Sequence, residues 1–195
     1  MLAKLQRRFI SENEYLEMEA VSPVKHEYQD GEIFQMAGAS YEHNLATGNI
    51  YANLHFQLRL GDCSVVQNDM RLFIETSGLY TYPDVMVVCG KPEIKKYKGL
   101  DNLLNPILIV EVLSPSTADY DKGAKFDHYR TIETLQEYVL VWQDKKRVAR
   151  YTKQTDESWI LRDFIGEEAE IILTSIDCRL SMEDIYDKVD LDSND

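Results

Sequence analysis

The chain has no stretch near the roughly 18 uninterrupted apolar residues that a membrane span needs. Its charged start, Met1 to Arg8, leads into no apolar segment of signal-peptide length. These absences predict a cytoplasmic protein with no membrane partner. Cysteine is scarce. Cys63, Cys89 and Cys178 are odd in number, far apart and without CxxC spacing, which predicts reduced thiols and argues against both a disulfide framework and a thiolate zinc site. No glycine-rich phosphate loop occurs, so Rossmann and P-loop readings fail, and no GxSxG elbow supports a Ser-His-Asp hydrolase. No Pro/Ser/Gly-rich linker divides the 195 residues, so one domain is expected throughout, with residues 190–195 as an acidic tail.

Basic charge is also in short supply. Lys and Arg number 21 against 34 Asp and Glu, a formal net charge of -13. That balance argues against tight nonspecific binding to a DNA backbone, where affinity comes from cations displacing condensed counterions. A local basic patch with a bound metal could still work on an acidic body. Two patches offer themselves, Lys91 to Lys98 and Lys145-Lys146-Arg147 with Arg150, although a solvated loop and a hairpin tip are the favoured readings of them.

Present instead is an alternation of helix and strand signals. Ser11-Glu12-Asn13-Glu14 has capping-box spacing and predicts a short helix. Asp30-Gly31 between two strand-like runs predicts a hairpin. Ser40 caps a long helix in which Ala46, Ile50, Leu54 and Leu58 recur at helical spacing until Gly61. Strands are expected at about 64–67, 70–75, 82–89 and 107–113, a helix from Asp119 to Leu135 after the Ser114 to Thr117 turn, and a strand from Tyr138 to Trp142 that turns into Arg147 to Tyr151. Trp159 to Phe164 and Ala169 to Leu173 read as a further strand pair, and Ser181 as the cap of a last helix. The order describes an α/β domain with a mixed central β-sheet flanked by helices.

Two strands carry an unexpected charge. Asp84 and Glu111 sit in the apolar runs Tyr82 to Val88 and Ile107 to Leu113. A carboxylate there loses hydration at a cost of several kcal/mol unless a cation or hydrogen-bond donors replace the water. A structural ion pair or a solvent-facing strand end would satisfy either acid alone. The pair, with Lys122 and Lys125 shortly downstream, suits a divalent metal beside a phosphate. On a helical wheel Lys122, Lys125, Phe126, Tyr129 and Ile132 share one face, so Lys125 points into the protein.

Tyr82-Pro83-Asp84, the run Ile109 to Thr117, Asp121, Lys125, Tyr129 and Glu137-Tyr138 together resemble the bacterial Uma-type endonuclease family, and Asp30-Gly31-Glu32 and Glu42-His43-Asn44 look like its N-terminal half. That family belongs to the restriction-endonuclease-like PD-(D/E)xK superfamily, and the similarity covers roughly residues 10–180. The resemblance implies a restriction-endonuclease-like core and a Mg²⁺- or Mn²⁺-dependent endonuclease acting on nucleic acid, DNA first of all. Leu113 stands where the ExK lysine of the superfamily belongs, so Lys125 is expected to replace it, with Lys122 as fallback. Asp84 and Glu111 would be the metal ligands. Glu32 could add a third carboxylate and His43 orient a water or contact phosphate, against bland readings as a solvated hairpin residue and a packing or capping histidine. Tyr129 is expected to pack in the core and Asp121 to cap its helix. A homodimer would suit cleavage of two strands. The alternatives are a catalytically inactive nuclease-fold binding or regulatory protein, and a hydrolase of a small phosphodiester.

Overall fold

Local signals near the N-terminus are realised directly. In a computed structural model, described for residues 8–114 and 118–191, the Ser11 hydroxyl accepts from the Glu14 amide while the Glu14 carboxylate accepts from the Ser11 amide, opening helix α1 (Glu12–Glu19). Strands β1 (His26–Gln29) and β2 (Glu32–Gln35) form the Asp-Gly hairpin; Asp30 and Gly31 both take positive φ, as a two-residue turn requires. Ser40 caps α2 (Tyr41–Leu58), and β3 (Cys63–Gln67), β4 (Arg71–Ile74), β5 (Leu79–Thr81), β6 (Val85–Cys89), β7 (Ile94–Tyr97), β8 (Leu100–Leu103) and β9 (Leu108–Leu113) follow. The chain continues through α3 (Ala118–Lys122), α4 (Ala124–Tyr129), β10 (Glu137–Trp142), β11 (Arg147–Lys153), β12 (Trp159–Ile165), β13 (Glu170–Leu173), β14 (Cys178–Ser181) and α5 (Met182–Ile185), capped by Ser181.

The α/β class holds, but the strands divide into two large mixed sheets and a small hairpin rather than one sheet. One six-stranded sheet runs β2-β1-β5-β4-β8-β7 and the other β12-β11-β10-β9-β6-β3, while β13 pairs only with β14. The expected pairing of Trp159 to Phe164 with Ala169 to Leu173 is therefore corrected: β12 pairs with β11 instead. The Lys91 to Lys98 segment is not a loop but contains β7, whose lysines are held by neighbours: Lys95 lies over the Phe73 ring and Lys96 near Asp101, while Lys98 beyond the strand contacts Glu17. The single helix expected from Asp119 to Leu135 breaks at Gly123, where an added Cβ would approach the Asp119 carbonyl to 3.2 Å. Residues 115–117, in the predicted Ser-Pro-Ser-Thr turn, lie outside the described residues, as does the tail beyond residue 191.

Strands β9 and β10 are buried along their whole length, as parallel neighbours covered on both faces must be. On one face Val110, Val112, Val139 and Val141 pack under Ala46, Ile50 and Leu54 of α2 and under the β13–β14 hairpin and α5. On the other, Ile109, Leu113, Tyr138 and Leu140 meet Leu72, Ile74 and Leu79 of the first sheet and Tyr129 of α4. Glu111 belongs to this second face by strand alternation.

The cysteine expectation is overturned. β3 and β6 are antiparallel neighbours with Cys63 opposite Cys89, and the two form a disulfide; Cys178 is a free, buried thiol. A separation of 26 residues conceals a pair that strand register makes adjacent. Among the described residues, no helix is long and apolar enough to cross a membrane.

Candidate active site

Antiparallel register is what unites the two strand acids. The last pair of β6 and β9 sets Val85 against Val110, so one step on Asp84 reaches the level of Glu111. Asp84 thus stands just before the N-terminal end of β6. Its Oδ2 accepts from the Val112 amide at 2.7 Å, and its own amide donates to Glu111 Oε2 at 3.3 Å. The break at Gly123 lets α4 carry Lys125 onto Glu111, Nζ to Oε1 at 2.9 Å. Lys125 also lies 3.4 Å from Asp121 and 3.5 Å from Glu27. Its side chain is 8% exposed and that of Glu111 5%.

Each remaining candidate has a definite place. His43, in the first turn of α2, sets Nε2 3.0 Å from Asp84 Oδ1. Lys122 does not join the acids; its ammonium lies 5.3 Å from the centre of the Trp142 ring, beside Arg147 at 4.4 Å. Glu32 is exposed on β2, one strand farther out than Glu27. The third carboxylate at Lys125 is Glu27, which also accepts from Thr81 Oγ1. Sequence reasoning passed over Glu27, although its position two residues before Gln29 on a short strand puts both on one face. Asp121 is buried inside α3 and does not cap the following helix, whose N-cap is Gly123. Tyr129 packs in the core as expected and does more: its hydroxyl donates to Glu111 Oε1 at 2.7 Å.

The electrostatics follow from this crowding. Glu27, Asp84, Glu111 and Asp121 face one lysine and one histidine. Burial pushes the Glu111 carboxyl up to about 8; Lys125 opposes that shift, and the charges of Asp84 and Asp121 reinforce it. Burial works against the Lys125 ammonium, but Glu111, Glu27 and Asp121 outweigh it and keep the amine charged well above its ordinary range. Burial alone would depress the His43 imidazole; the hydrogen bond and charge of Asp84, with Glu111 and Asp121 behind it, raise it. The donor set is thus an excess of hard carboxylate oxygens, which fits Mg²⁺ or Mn²⁺. Among the described residues, no three His, Cys, Asp or Glu side chains form a ready metal cage. Asp84 and Glu111 fit the sparser mode in which one or two carboxylates suffice and water and substrate complete the shell.

Comparison with known proteins places the chain in a family. The uncharacterized protein sll1609 of Synechocystis sp. is 40% identical over 171 residues, covering 88% of this chain and 96% of that protein. A second protein of the same organism, the uncharacterized protein slr1290, is 34% identical over 177 residues, 91% of each chain. A crystal structure from Anabaena variabilis, described as that of "a putative nuclease belonging to DUF820", shares the fold with a TM-score of 0.73 at 18% identity, covering 91% of this chain and 97% of that one. The family model Uma2, described as "Putative restriction endonuclease", matches residues 12–183, and the chain belongs to that family.

Proposed function

We propose that the protein is a metal-dependent endonuclease that hydrolyses phosphodiester bonds of nucleic acid, with DNA as the leading substrate. The observation that carries this reading is that Glu111 lies within hydrogen-bond distance of both the Asp84 amide and Lys125 Nζ, which gathers two acids and a lysine from distant parts of the chain. A core with no catalytic task rarely assembles a surplus of carboxylates around one lysine, because each buried charge costs several kcal/mol. Family membership and the nuclease-like fold support it further.

Asp84 and Glu111 would hold Mg²⁺ or Mn²⁺. When bound, such an ion supplies Lewis-acid polarisation of a phosphoryl oxygen and offsets negative charge that develops there. The side chains around it do the rest. Lys125 keeps its proton at Nζ and sets a positive charge beside the scissile phosphate, where preorganised charge counts most in a water-poor site. Tyr129 fixes the Glu111 carboxylate, and His43 does the same for Asp84, so that neither acid reorients as substrate enters. Glu27 and Asp121 hold the ammonium in position from its far side.

A nuclease-fold protein that binds without cutting is the second reading. The net charge of -13 and Leu113 in place of the ExK lysine favour it. Calorimetric titration of Mn²⁺ and Mg²⁺ into wild type, Asp84→Ala and Glu111→Ala, with plasmid nicking in parallel, separates the two. Metal binding and nicking lost together in both variants support the enzyme. Absence of binding at millimolar metal with DNA present overturns it.

A further inference from the structure

The β1–β2 hairpin forms a wall of the site and carries a residue that the catalytic reading leaves unused. In its register Tyr28 faces Ile33, Glu27 faces Phe34 and Gln29 faces Glu32. Residues directly opposite in an antiparallel pair share a face. Tyr28 and Ile33 pack into the aromatic core with Tyr15 and Tyr80, so Glu27, Gln29 and Phe34 share the other face. That face looks onto the site: Glu27 reaches Lys125, and Gln29 Nε2 lies 2.8 Å from His128 Nε2 on α4. Opposite residues hold their Cβ atoms about 5 Å apart, so Phe34 stands beside Glu27 on this face. Yet Phe34 is 45% exposed. β2 is also the outermost strand of its sheet, so nothing in the sheet lies beyond it to cover the ring.

We propose that Phe34 stacks against a nucleobase of the substrate, and that the site therefore takes an unpaired strand or a nucleotide turned out of a duplex. The proposal rests on the endonuclease reading and narrows its substrate. A nucleotide would supply a phosphate for a metal ion held by Asp84 and Glu111 and an apolar π-face for the ring. In a paired duplex that face is hidden between its neighbours, whereas an unpaired or extruded base presents it to aromatic side chains. The charge of the chain agrees. With a net charge of -13, little affinity can come from releasing counterions along a long duplex, so stacking has to carry a larger share.

The test uses the full chain with Ca²⁺ in place of Mg²⁺ to hold off turnover. Fluorescence anisotropy compares a labelled single-stranded oligonucleotide with the same sequence as a duplex, for wild type, Phe34→Ala and Phe34→Tyr, and cleavage of both substrates is followed separately with Mn²⁺. Wild type is expected to bind and cut the single strand in preference. Phe34→Ala should weaken single-strand binding about ten- to a hundredfold, the worth of one base–aromatic stack, and Phe34→Tyr should restore it. An exposed ring is not needed for folding, so the melting temperature of Phe34→Ala should match wild type. If wild type cuts nucleic acid but Phe34→Ala binds single strands unchanged, or if the duplex is bound as tightly, the stacking proposal is overturned and the nuclease stands. If wild type neither binds nor cuts either substrate, the endonuclease reading fails and takes this one with it.

Discussion

At the scale of single residues, the protein turns on one lysine that offsets several acids. Lys125→Met should abolish nicking and also cost about 3–5 kcal/mol of stability where Glu111 is ionised, because that carboxylate would be left buried without its cation; urea unfolding above pH 8 measures it. Tyr129→Phe removes a hydroxyl 2.7 Å from Glu111 and should lower metal affinity about 10- to 100-fold, the usual worth of a group that orients a ligand. The Glu111 carboxyl has its own pH signature. Its folded value is raised to about 8 from an ordinary 4.5, so between those values the folded state holds a proton that the unfolded chain releases. Stability of the metal-free protein should therefore fall as pH rises through that window, and Glu111→Gln should flatten the dependence. Metal affinity should move the opposite way, rising by up to about tenfold per pH unit below pH 8, because the ion displaces that proton. Titration calorimetry at several pH values would show whether it does. Asp84, Glu111 and Lys125 were legible as candidates because charge in an apolar run, or on the apolar face of a helix, violates the pattern around it. Glu27 violates nothing in its polar strand, so only contact with Lys125 reveals it.

At the scale of elements, the site depends on short pieces that local chemistry holds in place. The β1–β2 hairpin positions Glu27, and its turn puts Gly31 at φ +83 with the Phe9 ring against it. Gly31→Ala should destabilise by about 1–2 kcal/mol from the left-handed backbone alone, with nicking reduced as Glu27 and Phe34 lose their frame; chemical denaturation and the nicking assay read the two effects. Caps and the Asp-Gly turn were readable from sequence, since their donors and acceptors lie within a few residues. The break between α3 and α4 was not. A wheel drawn through Gly123 placed Lys125 inward correctly, but it also carried Lys122 with it, and the break sends that side chain to Trp142 instead.

At the scale of the molecule, two six-stranded sheets meet over the site, and the second is fastened at its edge by the Cys63–Cys89 disulfide between β3 and β6. Reduction should lower stability by about 3 kcal/mol, the loop entropy of a cross-link of this span, and a Cys63→Ser, Cys89→Ser double variant should match the reduced protein in urea melts. Acidity acts on the whole molecule as well. Oligonucleotide binding should show a shallow salt dependence, with a log–log slope of about -2 or less in magnitude, because acids outnumber cations 34 to 21; anisotropy titrations between low and physiological salt give the slope. The amino-acid order alone specified the α/β class, the caps and turns, the buried strands and the out-of-pattern charges of Asp84, Glu111 and Lys125, because propensity, periodicity and misplaced charge are properties of neighbours along the chain. The division into two sheets, the disulfide and the recruitment of Glu27 and Tyr129 to the acids depended on strand register and packing between elements far apart in sequence, which no local pattern encodes.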